Sequence, residues 1–377
     1  MRDEILAMGS FHNLRRKLEI RKCDNLVFVF SSTLVRCFSQ LQEIEIEDCK
    51  VMSAIVAEER KHEIQVNDDI ITDTIDFTQL RSLNLKRLPN LKGFCSDVDS
   101  QPLFNKKVAF SNLENLHIDA IYKLKMLWHN QLNPDSFCKL KQLCVGDCEN
   151  LINIFQPNIL RRLQNLEDLQ IRNCNLVEEV FEVQGKNGDE ICDMVVSTQF
   201  KVLKLINLPN LKHVWSSGSQ EILTFQNLRE VEVSNCKSMK SLFPASVAKS
   251  LEQLKKLKIY DCGLEEIVAM EEGLETVTKF VFPQLYSLSL FSLPELKCFY
   301  PGKHTSEWPS LNSLYISKCD KVKIFAASEL SLSDTNELGH NVPVQQALFL
   351  IEKVAFPNLE DIRITFMDNL KMLWHNH

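Results

Sequence analysis

The sequence predicts an α/β solenoid: a curved horseshoe of stacked repeats, with a parallel β-sheet on its concave face and short helices or irregular turns on its convex face. One observation and its physical meaning carry that prediction. The phrase F-x-x-L-x-x-[LIV]-x-[LIV]-x-x-C recurs with its spacing intact, at Phe38, Leu41, Ile44, Ile46, Cys49; at Phe137, Leu140, Leu143, Val145, Cys148; at Phe225, Leu228, Val231, Val233, Cys236; and, with Trp in first place, at Trp308, Leu311, Leu314, Ile316, Cys319. Self-similarity at a period of about 20–50 residues means that no repeat can bury its apolar face alone, so each must stack on its neighbours.

Twelve repeats begin near residues 11, 38, 77, 110, 137, 163, 197, 225, 251, 282, 308 and 356. Their L-x-x-L-x-L-x-x-C/N core matches the leucine-rich-repeat phrase, in which a short strand points its apolar residues inward and Cys or Asn closes the turn that follows. Three variants occur. One ends C-x-x-[LM]-x-x-[LI], as from Cys148 to Ile154 and from Cys236 to Leu242; one loses a residue after its Cys, as at Cys174-Asn175-Leu176 and Cys262-Gly263-Leu264, each before a Glu-Glu pair; one replaces the Cys by Leu-Pro, as at Leu88-Pro89, Leu208-Pro209 and Leu293-Pro294. The three run in that order twice, over 137–215 and 225–300, as expected after duplication of a three-repeat block. Two further repeats, 110–130 and 356–376, end in the same words, Leu-Lys-Met-Leu-Trp-His-Asn.

The return segments 31–37, 159–163 and 245–251 read as one or two helical turns, apolar on one side. Residues 56–76 and 182–199 read as polar, solvated loops. Residues 326–355 are the weakest seam, an irregular insertion or a degenerate repeat, with a short helix over 344–354. One array spanning 1–377 is therefore expected, since a repeat array needs no internal domain boundary.

Composition narrows the function. A net charge of −7 gives no basic footprint for nucleic acid. The sequence contains neither an apolar run long enough to span a membrane nor an N-terminal h-region. Seven of the 13 cysteines, namely Cys23, Cys49, Cys148, Cys174, Cys236, Cys262 and Cys319, hold the repeat position itself. A periodic thiol is a packing residue, expected to be buried and reduced, and its weak S–H can serve the backbone of the turn. With no N-x-[ST] sequon, this favours a reducing, cytoplasmic setting.

Catalytic and cofactor phrases are missing. Cys138, Cys144 and Cys148 lie close together, but Cys148 is a repeat residue and no C-x-x-C pair accompanies it, so packing outweighs zinc binding. His129 and His375 belong to the shared Trp-His-Asn phrase and have no partner at fixed spacing, which favours a structural role. The pairs Glu178-Glu179 and Glu265-Glu266 recur at one repeat position and read as a solvated rim rather than a catalytic pair. G-x-x-x-x-G-K-[ST], G-x-G-x-x-G and H-E-x-x-H are all missing. The expectation is a protein that is not an enzyme and holds no cofactor or metal.

Side chains between the buried positions of each strand face outward. The first three repeats offer charge there: Arg16, Lys17, Arg21 and Lys22; then Glu43, Glu45, Glu47 and Asp48; then Arg81, Lys86 and Arg87, a pattern suited to steering a partner. Toward the C-terminus Tyr260, Tyr286, Phe291, Tyr315 and Phe366 fall on outward strand positions. Gathered aromatics mark a protein-binding patch, or else a surface covered by insertions or a neighbouring domain.

The phrases at 225–243 (FQNLREVEVSNCKSMKSLF), 262–268 (CGLEEIV), 208–215 (LPNLKHVW) and 345–358 (QQALFLIEKVAFPN) resemble the C-terminal leucine-rich repeats of plant coiled-coil nucleotide-binding disease-resistance proteins. The Gly-x-[IL]-Pro phrase of extracellular plant receptor repeats is missing. The resemblance covers nearly the whole chain and implies intracellular immunity. The repeats would help recognise a pathogen effector or a guarded host protein, and would help hold a nucleotide switch inactive through the nucleotide-binding domain of the same receptor. No phosphate-binding loop lies in this chain, so Met1 is expected to open a fragment or a truncated product, and nucleotide binding is assigned to no residue. The alternative is a free-standing scaffold, adaptor or enzyme-inhibitor protein.

Overall fold

A computed structural model describes residues 14, 16–38, 40–57, 74–96, 102–160, 162–181, 196–215, 223–271, 278–302, 304–322, 326–327, 347–350 and 356–375. The chain divides into two compact units, Met1–Val177 with Gly185–Asp189, and Glu178–Gln184 with Glu190–His377.

The N-terminal unit carries six five-residue strands: β1 (Lys17–Arg21), β2 (Glu43–Glu47), β3 (Ser82–Lys86), β4 (Asn115–Asp119), β5 (Gln142–Gly146) and β6 (Asp168–Arg172). Each pairs in parallel with the next, first residue opposite first residue. The C-terminal unit repeats the arrangement with β7 (Val202–Ile206), β8 (Glu230–Ser234), β9 (Lys256–Tyr260), β10 (Ser287–Phe291), β11 (Ser313–Ser317) and β12 (Asp361–Thr365), again parallel and without a register shift. This is the leucine-rich-repeat solenoid architecture. Register is strict because the second and fourth residues of β2 to β11, such as Leu83 and Leu85 or Val231 and Val233, are buried, and a one-residue slip would turn them to solvent.

Every strand ends in the same way. The next residue adopts a left-handed conformation: Lys22, Asp48, Arg87, Ala120, Asp147 and Asn173 in the N-terminal unit, and Asn207, Asn235, Asp261, Ser292, Lys318 and Phe366 in the C-terminal unit. Within each unit its amide donates to the last carbonyl of the following strand, as Asp147 does to Arg172 (3.0 Å) and Asn235 to Tyr260 (3.0 Å), so the ladder runs one residue beyond the strand. The chain then turns inward at the Cys or Leu position.

Among the described residues the return sides contain few helices. Expected turns appear as a 3-10 turn at Val35–Phe38 and short helices at Pro157–Leu160 and Ala245–Lys249. Much of the rest forms short parallel ladders that the repeat phrase does not announce, such as Phe30–Ser31 beside Ala54–Ala57 beside Gly93–Cys95. The helix expected over 344–354 is not formed where described: Ala347–Leu350 is a strand, paired with Ala326–Ala327 and Met372–His375. The β-compatible run Ala-Leu-Phe-Leu finds strand partners on both sides, and pairing overrides its helical reading. The loops expected at 56–76 and 182–199 lie mostly outside the described residues.

Between sheet and return segments the core is aromatic. In the N-terminal unit Phe77 stacks on Phe110 at 5.6 Å, and Phe104 and Trp128 pack around Phe137. In the C-terminal unit Phe200 stacks on Phe225 at 5.7 Å and Phe282 on Trp308 at 4.8 Å. The first residue of the F-x-x-L phrase is thus a ring passed from repeat to repeat, adding about 0.5–1.5 kcal/mol per pair beyond its buried area.

Candidate functional site

The open face of each sheet is built from the residues that the core does not take. In the N-terminal unit many of its charges are spent on one another. Lys17 meets Glu45 at 2.7 Å, Glu19 at 3.0 Å and Glu43 at 3.2 Å; Arg21 meets Glu45 at 2.8 Å; Arg87 joins Asp48 at 2.5 Å and also contacts Glu47. The Lys17 ammonium and then the Arg21 guanidinium hold the Glu45 carboxyl below its ordinary range, although burial of Glu45 opposes this. The sequence presents these residues as free steering charges, but in the fold they neutralise each other, because oppositely charged strands stand in register.

Further along that face Arg172 reaches across β5 to Asp119 at 2.6 Å. It can do so because β5 ends in glycine. A Cβ on Gly146 would stand 2.5 Å from Asp119 Oδ1 and 2.7 Å from Arg172 Nε. Beside this pair lie His117 and Cys144, in register on β4 and β5. Burial, followed by the nearby Lys86 charge, lowers the His117 pKa. Among the described residues no group of three or more His, Cys, Asp or Glu side chains is placed to hold a metal ion.

The C-terminal unit carries the aromatics. Tyr260 ends β9 directly opposite Phe291, which ends β10, and their rings lie 6.4 Å apart. Phe291 stacks on Tyr315, in the middle of β11, also at 6.4 Å. Phe366 is not on a strand; it holds the left-handed position after β12 and is the most exposed of the five at 71%. The residue that ties it in was not singled out from the sequence. Lys318 sets its Nζ 5.5 Å from the Phe291 ring centre and 5.6 Å from that of Phe366, a cation–π bridge worth about 0.5–1 kcal/mol where exposed. Tyr286 stands apart: it precedes β10 by one residue, at the opposite strand end from Phe291. It is 39% exposed and lies under Lys256 Nζ at 5.8 Å. Four of the five aromatics therefore form one neighbourhood, and the fifth lies about 16 Å along the strand from Phe291.

The repeat cysteines occupy the inner side of the turn. Cys49, Cys148, Cys174, Cys236, Cys262 and Cys319 are buried. Each S–H points to the carbonyl two residues back, for instance Cys148 to Gly146 at 3.1 Å and Cys262 to Tyr260 at 3.1 Å. Burial pushes Cys174 up to about 12 and Cys319 up to about 11. Cys23 departs from the expectation, being exposed although its S–H makes the same contact to Arg21. It follows the first strand, whose own apolar residues Leu18 and Ile20 are only half-buried, since no described repeat precedes it.

Two parallel ladders, apolar residues at every second strand position and a left-handed turn before an inward Cys or Leu define a leucine-rich-repeat protein, a class that presents its sheet face to partners. The family model of the RPS2-like plant disease resistance protein leucine-rich repeats matches residues 2–126 and 112–263, more than half of the chain, and the chain belongs to that family, whose repeats are not catalytic. No curated protein matches it. The crystal structure of a TLR13–ssRNA13 complex aligns over 94% of this chain at 11% identity with a TM-score of 0.25, and the chain spans 66% of that chain's length. Among the described residues no helix is long and apolar enough to cross a membrane.

Proposed function

We propose that this chain is the recognition region of an intracellular plant immune receptor. It acts in the cytoplasm, holds a nucleotide-binding module inactive, and responds to a pathogen effector or to a host protein that the effector modifies. One observation beyond family membership supports this reading. Tyr260, Phe291, Tyr315 and Phe366 cluster on the solvent side of a sheet whose corresponding positions elsewhere are mostly polar, and such aromatic groups are the usual anchors of protein interfaces.

The test is association in trans. The nucleotide-binding module of an RPS2-like receptor, co-expressed with this chain in leaf tissue, should be recovered with it by immunoprecipitation. The double variant Phe291→Ala, Tyr315→Ala should recover much less while keeping its circular-dichroism spectrum. If the native chain recovers none, while the same module retains its own repeats supplied separately, a free-standing scaffold becomes the better reading.

A further inference from the structure

One line of side chains in the C-terminal unit is arranged against the electrostatic pattern of the rest of the open face. It comprises the residues that immediately precede each strand. The Arg229 amide donates to the Lys201 carbonyl (2.8 Å), that of Lys255 to Arg229 (2.8 Å), and that of Tyr286 to Lys255 (3.0 Å). The four side chains therefore stand side by side at one strand spacing, about 4.8 Å: three cations, then an exposed tyrosine.

The same line in the N-terminal unit alternates in sign. Arg81, Glu114, Lys141 and Glu167 follow one another through the equivalent bonds, and Glu114 takes ion pairs from Arg81 at 3.1 Å and Lys141 at 2.8 Å. Like charges on neighbouring strands are destabilising. The C-terminal unit nevertheless retains them, and among the described residues neither Arg229 nor Lys255 meets a carboxylate. Lys258, two residues into β9, adds another cation with no ion pair among the described residues. Lys256 does have a carboxylate, Glu230 at 3.0 Å, and its Nζ lies over Tyr286. Glu232 stands in register between Lys204 and Lys258, leaving the area cationic on a chain whose net charge is −7.

We propose that Arg229, Lys255 and Tyr286 on this line form a docking site for an acidic segment of a partner protein, with carboxylates along the two cations and an apolar side chain on Tyr286. This rests on the proposed recognition role and names the chemistry of the partner. A protein segment fits better than a nucleic acid. The interleaved Glu230 and Glu232 and the negative chain oppose a continuous polyanion, whereas a short acidic segment needs only local complementarity.

The probe is a fluorescein-labelled peptide of Glu-Glu-Leu repeats, titrated with the full chain by fluorescence anisotropy at low and at physiological salt. Binding should weaken as salt rises. The pair Arg229→Glu, Lys255→Glu should weaken it by at least about tenfold and Tyr286→Ala by about threefold or more. Lys106→Glu, on an exposed turn of the other unit, should change affinity by less than about twofold. Unchanged affinity in the folded double variant, or no binding up to about 1 mM peptide, would overturn the proposal. Tighter binding of oligothymidylate, lost in the same variant, would overturn it in favour of nucleic acid. Should the nucleotide-binding module still associate through Phe291 and Tyr315, the receptor reading stands and only this line falls.

Discussion

At the scale of single residues, three positions in each repeat do most of the specifying: the left-handed residue, the Cys or Leu after it, and the outward side chain at the strand end. Asn and Asp tolerate the left-handed region through local hydrogen bonding, whereas a β-branched side chain does not. Asn235→Val should therefore lower stability by about 1–2 kcal/mol in urea unfolding. Placing Lys at Cys148 or Cys236 combines overpacking with a buried charge and should cost about 3 kcal/mol or more. Labelling the native protein with a maleimide and mapping the adducts should find Cys23 modified rapidly and the six buried repeat cysteines slowly. Fast labelling at most of the six would contradict the packing account. Gly146→Ala should break the Arg172–Asp119 contact and, because Asp119 is buried, cost about 1–3 kcal/mol. Arg172→Ala in the same background should then add little, which a double-mutant cycle reads directly.

At the scale of elements, neighbouring repeats are joined by side chains as well as by strands. The Asn of the F-x-N-L phrase donates to a carbonyl of the repeat before it: Asn112 to Thr78 (2.6 Å), Asn227 to Thr198 (3.1 Å), Asn358 to Pro309 (2.6 Å). A second line follows the turn, where Asn90 reaches Lys50 (2.7 Å) and Asn150 reaches Tyr122 (2.6 Å). Each such bond contributes about 1 kcal/mol, so Asn112→Ala and Asn150→Ala should each destabilise by about that amount, and additively, since they serve different turns. Identical words can still have different outcomes. In Met-Leu-Trp-His-Asn, Trp128 is buried and donates to Ile154 (2.7 Å), whereas Trp374, in the last described strand, is 43% exposed and stacks on Phe349. The aromatic neighbourhood is an element-scale feature too. Tyr315→Ala should weaken a cognate interaction by about 1–3 kcal/mol and change stability much less, compared by calorimetry and thermal unfolding.

At the scale of the molecule, buried imidazoles link stability to pH near neutrality. His304 is 5% exposed, ringed by Phe280, Phe299 and Tyr300, and its Nδ1 lies 3.1 Å from the Gly302 carbonyl. Burial lowers its pKa below the ordinary 6.5, as it does for His117. Below about pH 6.5 the unfolded chain therefore binds protons that the folded chain refuses, so stability is complete above that value and declines as pH falls toward the folded pKa. The expected slope is at most about 1.4 kcal/mol per pH unit for each histidine. Urea unfolding at about pH 7.5 and about pH 5.5 should show the loss, and His304→Phe should reduce it. An identical pH dependence in the variant would show that His304 is not its source.

The repeat phrase by itself determined the strands, their parallel order and zero register shift within each unit, and the inward Cys or Leu, because these depend only on local alternation and on like repeats stacking on like. It also carried the family, through the irregular phrases around Cys236 and Cys262 rather than through leucines that many repeats share. What the open face does was decided by tertiary structure. Whether Arg21 is free or bound depends on the strand beside it, not on its own neighbours in sequence. Lys318 became part of the aromatic group only when unequal repeat lengths brought β11 and β12 together, 48 residues apart in the chain but adjacent in the sheet. Tyr286 and Phe366, read from alternation as strand residues, fall just outside their strands, since hydrogen bonding rather than the apolar pattern sets where a strand stops. The line of cations before β7 to β9 is invisible along the chain, because its members become neighbours only through the ladder.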